Sequence, residues 1–174
     1  MQKRIIQILI VLNLITISLT SLFIYQATRF DEVSYTGTDI INTINYFHTD
    51  FTIMPPKYQQ IQVIRELYGK NPIIINKYFK DAYGKAIPIL NLVILSPDIP
   101  VNIFSKVFAH ELEHLRFEFK EYLVEYRAII RLWESGIPHL KYQAYLGAKT
   151  VLDGRLGKRY DCTDLLVEYM KENI

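Results

Sequence analysis

The chain has 174 residues, a net charge of +2 and about half apolar residues, including 13 Tyr and 9 Phe. That length fits one domain, and that apolar content excludes the disordered class. No basic run argues for a nucleic-acid partner, and a lone cysteine, Cys162, excludes both a disulfide framework and a multi-cysteine metal site.

The first feature in chain order is an uncharged run from Ile5 to Thr28, behind Lys3 and Arg4. A helix of about 20 residues crosses the hydrocarbon core of a bilayer, so the run is long enough to span one. It exceeds the apolar stretch of a signal peptide and ends without an Ala-x-Ala-like cleavage site, which favours an uncleaved anchor over a signal peptide. Residues 1–30 are therefore expected to form a membrane anchor and residues 31–174 the folded domain. Lys3 and Arg4 precede the run, whereas Arg29 is followed by Asp31 and Glu32. The positive-inside rule then leaves the N-terminus cytoplasmic and the domain on the other side of the membrane.

Beyond a short polar linker, Ile40, Ile41, Ile44 and Phe47 recur at helical spacing, with Thr38 or Asp39 as N-cap. Pro55-Pro56 breaks the chain, and Ile61, Ile64 and Leu67 mark a second helix that Gly69 ends. Ile73 to Ile75 and the run from Ile89 to Leu95 read as strands around a turn at residues 81–84. A helix is expected from Asp98 or Ile99, with Asp98 as its cap, Pro100 in its first turn and Val101, Phe104, Phe108, Leu112 and Leu115 along its apolar stripe. Further helices follow over about 121–134, closed by Gly136, over about 140–152, and from Asp161 onward. The expected fold class is α+β, a few-stranded sheet packed on the helix that starts near residue 99.

That helix carries His110-Glu111-Leu112-Glu113-His114. Histidines four apart lie one turn above each other, so both imidazoles can hold one tetrahedral Zn²⁺. Glu111 is not needed as a ligand; from its place it can act as general base toward water that zinc has acidified, and pass the proton to a leaving amine. A third protein ligand is required. Glu118 is too near His114 on the same helix, which leaves Glu121 and Glu125. Glu125 lies eleven residues past His114, about 16 Å along a straight helix, so the chain must fold back around 117–120 for it to bind. Neither Gly nor Pro marks that turn. Tyr122 and Tyr126 are candidate oxyanion donors, though such tyrosines more often pack a helix against its neighbour. Arg155 to Arg159 reads as a solvated turn, and His48 and His139 as exposed.

The same residues resemble the gluzincin pattern, in which a second helix carries Glu-x-x-Ala-(Asp/Asn) and its Glu is the third ligand. Glu125-Tyr126-Arg127-Ala128 is similar to that segment, with Ile129 in place of the acidic or amide residue. Residues 84–135 as a whole look like the strand-then-helix arrangement of ImmA/IrrE-type minimal zincins. The resemblance implies His110, His114 and Glu125 as zinc ligands, Glu111 as catalytic base, and the strand around Leu90 to Leu95 beside the cleft. It implies a zinc metallopeptidase acting on a protein or peptide substrate near the membrane. The alternatives are a membrane-tethered, catalytically inactive binding module of the same fold, or a metallohydrolase acting on another amide.

Overall fold

The computed structural model describes residues 35–51 and 53–174. The expected anchor lies outside the described residues, and among those described no helix is long and apolar enough to cross a membrane. The described elements make an α+β fold. Helix α1 spans Gly37–Phe47 and α2 spans Lys57–Tyr68. Strands β1 (Ile73–Asn76), β2 (Gly84–Ile87) and β3 (Leu92–Leu95) follow, with a 3-10 turn at Pro88–Leu90. Then come α3 (Phe104–His114), α4 (Glu121–Glu134), α5 (Pro138–Leu152), a 3-10 turn at Lys158–Tyr160, and α6 (Thr163–Glu172).

The helix ends follow local chemistry. Thr36, rather than Thr38 or Asp39, caps α1: its hydroxyl accepts from the Asp39 amide while the Asp39 carboxylate accepts from the Thr36 amide, a reciprocal capping box. Gly69 ends α2 in the left-handed region at φ 58°, as its sequence position suggests. Helix α5 begins two residues before its expected start near 140, at Pro138, whose missing N–H costs nothing in a first turn. His139 therefore sits in a first helical turn, half-buried beside the Phe51 ring, and not in an exposed loop.

In the sheet, β3 is central: β1 pairs with it in parallel and β2 antiparallel. The apolar run at 89–95 is thus not one strand. Asn91, at φ 46°, breaks it into a 3-10 turn and a strand, a backbone conformation that Asn tolerates better than most residues. Val93 and Leu95 point into the core, and the opposite face of β3 is half-exposed. Strand β2, which shows no strand-like alternation in sequence, is one edge of the sheet, and β1 is the other.

Helix α3 starts at Phe104, five residues later than Ile99, and Val101 is 41% exposed rather than part of the stripe. The cause is the fully buried Gln60 of α2. A continuous helix would bond the Ser105 amide to the Val101 carbonyl. Gln60 inserts between them: its amide nitrogen donates to the Val101 carbonyl (3.0 Å) and its oxygen accepts from the Ser105 amide (3.2 Å) and hydroxyl (2.6 Å). Gln143 of α5 donates to the same Gln60 oxygen (2.9 Å) and accepts from the Lys106 amide (3.2 Å). First-turn amides of α3, which have no local side-chain cap, are therefore satisfied from α2 and α5. Asp98 does not cap α3; it pairs with the Ser96 hydroxyl.

Replacing Gln60 by Leu keeps the volume but strands the Ser105 amide and the Gln143 amide nitrogen in the core. Each buried unpaired group costs about 1–3 kcal/mol, so Gln60→Leu is expected to destabilise the domain by about 2–4 kcal/mol in denaturant unfolding. A loss under about 0.5 kcal/mol, the usual surface range, would show the bridge to be dispensable.

The core lies where α3, α4 and α5 meet the inner face of β3. Phe108, Leu112, Ala128, Ile129, Leu132, Leu140, Ala144 and Ala148 are sealed from solvent there. Phe47 and Trp133 join it through a ring cluster with Tyr46 and Tyr169. The apolar side of α3 is thereby clamped, and its histidine edge faces outward beneath β2.

Candidate metal centre

Four-residue spacing on α3 brings the His110 and His114 rings to a centroid separation of 4.9 Å, with their Nε2 atoms 3.2 Å apart. Their other nitrogens are both engaged. His110 Nδ1 donates to Glu125 (2.9 Å), and His114 Nδ1 donates to the Glu118 carbonyl (2.8 Å). In the neutral rings this tautomer turns each Nε2 lone pair toward one shared point.

The turn that delivers a carboxylate to that point needs neither Gly nor Pro. Helix α3 stops at His114, and Phe117 takes φ 61°, an uncommon state for a bulky residue. Glu118 then organises the reversal. Its carboxylate accepts from the Phe119 and Lys120 amides (3.1 Å each) and pairs with Arg127 on α4 (3.2 Å). Helix α4 begins at once with Glu121, whose negative charge suits a helix N-terminus.

It is Glu121, not Glu125, whose carboxylate meets both imidazoles. Its Oε2 lies 3.2 Å from His110 Nε2 and 3.3 Å from His114 Nε2. That oxygen is buried and makes no well-aligned hydrogen bond. Three donor atoms therefore form a near-equilateral triangle, and the group could hold a metal ion. Ligands at 2.0–2.1 Å from a tetrahedral ion lie about 3.3–3.4 Å from one another, which is the spacing seen. Glu125, almost fully buried, supports His110 from behind and is itself held by Lys106 at 2.5 Å. The difference from expectation is one helical turn: Glu121 opens α4 beside the reversal, and Glu125 lies a turn deeper.

Charges in the cluster are strongly coupled. Burial disfavours a charged His110, but Glu121 and Glu125 outweigh it and push His110 up to about 9. His114 is raised in the same way by Glu121 and the Glu118 carbonyl, against its own burial. The two imidazoles hold Glu121 far below the usual carboxylate range. Burial works against an ionised Glu125, and Lys106 and His110 overcome it. A proton and a metal ion thus compete for the same place.

A pH dependence follows for the metal-free domain. A histidine raised from 6.5 to about 9 contributes stability fully present below pH 6.5 and lost as pH rises through about 9. Thermal unfolding in chelator is expected to show a falling Tm over that window, and a saturating divalent metal ion to abolish the fall. A flat metal-free profile would mean that His110 is not charged by its neighbours.

Glu111 projects from α3 under β2 and is 6% exposed. Burial raises its pKa, partly offset by the two histidines. Gly84 makes room for it: a Cβ at residue 84 would stand 2.7 Å from Glu111 Oε1. Gly84→Ala is therefore expected to displace the Glu111 carboxylate and cut any Glu111-dependent turnover about tenfold or more, since misplacement by about 1 Å at a reacting group costs up to a hundredfold. Metal stoichiometry serves as the control, and undiminished turnover would show that the close approach is not needed.

These groups open onto a cleft of about 270 Å³, walled by Gly84, Lys85 and Ala86 of β2 on one side and by Arg159 and Tyr160 on the other. The wall beside the cleft is β2, an edge strand, and not the central strand at 92–95. Phe119, exposed at the reversal, also lines it. The Tyr160 ring lies 6.0 Å from that of His110. Tyr122 and Tyr126 do not line the cleft; both are half-buried and packed on the core. Arg159 and Tyr160 were not legible as site residues, because only the 3-10 turn after α5 carries them back to α3. Comparison with family models, with curated proteins and with solved structures finds no match to this chain.

Proposed function

We propose that this chain is a zinc-dependent metallopeptidase of minimal zincin-like architecture, with His110, His114 and Glu121 as the metal ligands and Glu111 as the general base. The observation that carries the reading is the triangle of two imidazole nitrogens and one buried carboxylate oxygen at tetrahedral spacing, with Glu111 beside it. Two neutral nitrogens and one carboxylate oxygen suit zinc, and three protein ligands leave a position open, the pattern of a catalytic site rather than a closed structural one. When bound, zinc supplies Lewis acidity, acidifying water and polarising the scissile carbonyl.

The remaining work belongs to the chain. Glu111, desolvated under β2, accepts the proton of the attacking water and returns it to the leaving amine. Strand β2 is the edge strand that walls the cleft, so its outer backbone groups can pair with an extended peptide. Such pairing lays the peptide across the cleft above His110 and His114. Glu125 and the Glu118 carbonyl fix the ring orientations, which keeps both Nε2 atoms aimed at one point.

The uncharged run at residues 5–28 supports a further part of the reading, that the domain is tethered to a membrane and works on its non-cytoplasmic side.

The test is to load purified protein with zinc and incubate it with a mixed peptide library read by mass spectrometry. Cleavage that a chelator abolishes and zinc restores supports the assignment. Stoichiometric zinc with no cleavage favours the inactive binding module, and failure to bind zinc sinks both readings.

A further inference from the structure

Beyond the metal cluster, the cleft carries a second charged device. The charged residues lining it, apart from the histidines, are Lys85, Glu111, Glu121 and Arg159. Glu111 and Glu121 are committed to the chemistry proposed above. Lys85 sits between Gly84, which faces Glu111, and Ala86, which packs on the core, so strand alternation turns its side chain off that face. Arg159 is then the cation that the cleft offers to a bound molecule.

Its environment differs from that of most described arginines; Arg65, away from the cleft, donates to the Pro72 carbonyl. Arg116, Arg127, Arg131 and Arg155 each stand 3.2–3.9 Å from a carboxylate. Among the described residues Arg159 forms no such pair. It lies over the Tyr160 ring, 4.5 Å from its centroid, and donates to the Tyr160 hydroxyl. Tyr160 in turn packs against His110. The guanidinium is therefore braced two contacts away from a metal ligand, with most of its five N–H donors uncommitted. A planar fork of donors matches a carboxylate, and bracing lowers the entropy lost on binding one. Charge balance agrees: a divalent ion with one carboxylate ligand, one carboxylate base and Arg159 leaves the cleft net positive.

Building on the metallopeptidase reading, we propose that Arg159, held by Tyr160, selects substrates that present a carboxylate beside the scissile bond. That carboxylate belongs either to an Asp or Glu side chain or to a free C-terminus, two sources with one chemistry.

Matched peptides test this with zinc-loaded full-length protein. One series exchanges Glu for Gln at each position around the cleaved bond, and another amidates the C-terminus. A charge-assisted pair is worth about 10- to 100-fold, so kcat/KM is expected to fall by that factor in whichever series removes the recognised carboxylate. The ratio between acidic and neutral peptides is expected to collapse toward unity in Arg159→Gln and to invert toward Lys-containing peptides in Arg159→Glu. Circular dichroism and zinc content verify that each variant is folded. Equal kcat/KM for acidic and neutral peptides, or a preference that survives Arg159→Gln, overturns the proposal. Should no peptide be cleaved, the metallopeptidase reading fails on its own, and fluorescence anisotropy of the same labelled peptides still decides the selection. Tighter binding of the acidic peptide, lost in Arg159→Gln, supports it; equal binding of acidic and neutral peptides overturns it.

Discussion

Glu121→Gln is expected to weaken zinc binding by more than about 100-fold, whereas Glu125→Gln weakens it by about 10- to 100-fold and keeps one ion per chain. The order follows from position. Glu121 Oε2 faces both ligand nitrogens, and a neutral amide there offers a poorer donor for a divalent cation. Of the three proposed ligands Glu125 touches only His110, at its far nitrogen, so replacing it loosens the ring without removing a ligand. Competition against a chromogenic chelator measures both affinities. The reverse order would return Glu125 to the ligand set. Leaving Lys106 without its carboxylate also has a folding cost in Glu125→Gln, so unfolding curves should accompany the titration.

Glu111→Gln is expected to lower kcat by about 100- to 10,000-fold, the usual contribution of a positioned acid–base group. Zinc affinity should hardly change, because Glu111 is not a ligand in this reading. Gln is the right replacement because the space under Gly84 is shaped to a carboxylate-sized group, and a smaller residue would open a gap instead. Initial rates on a peptide found in the library screen provide the measurement. Turnover that persists at the parental level would remove Glu111 from the mechanism.

How far the sequence disclosed this site depends on where each interaction is encoded. His110, Glu111 and His114 are local, set by one helix, and they could be named from spacing alone. The bounds of α4 and the Gly69 stop of α2 are local too. The carboxylate partner was legible only as a choice between Glu121 and Glu125, and the resemblance pointed to Glu125, whereas the structure groups Glu121 with the two histidines. The resembling segment Glu125-Tyr126-Arg127-Ala128 lies one helical turn beyond the carboxylate that faces both imidazoles. Strand β2 was invisible because Gly84-Lys85-Ala86-Ile87 has no period-two pattern; it is an edge strand defined by its partner, β3. Gln60 and Gln143 act across the chain on the first turn of α3, and no single-sequence rule places them there. Arg159 and Tyr160 reach the cleft only after two further helices have packed.

The reversal at residues 115–120 has one more consequence. All three proposed ligands come from a single helical hairpin whose arms are already clamped by the core and by the Glu118–Arg127 link. An ion arriving there closes a short span of chain that has little freedom left to surrender. Its attraction for the two imidazoles and the carboxylate is therefore free to set tightness of retention, so the apoprotein should keep its shape and exchange ions as an intact receptor.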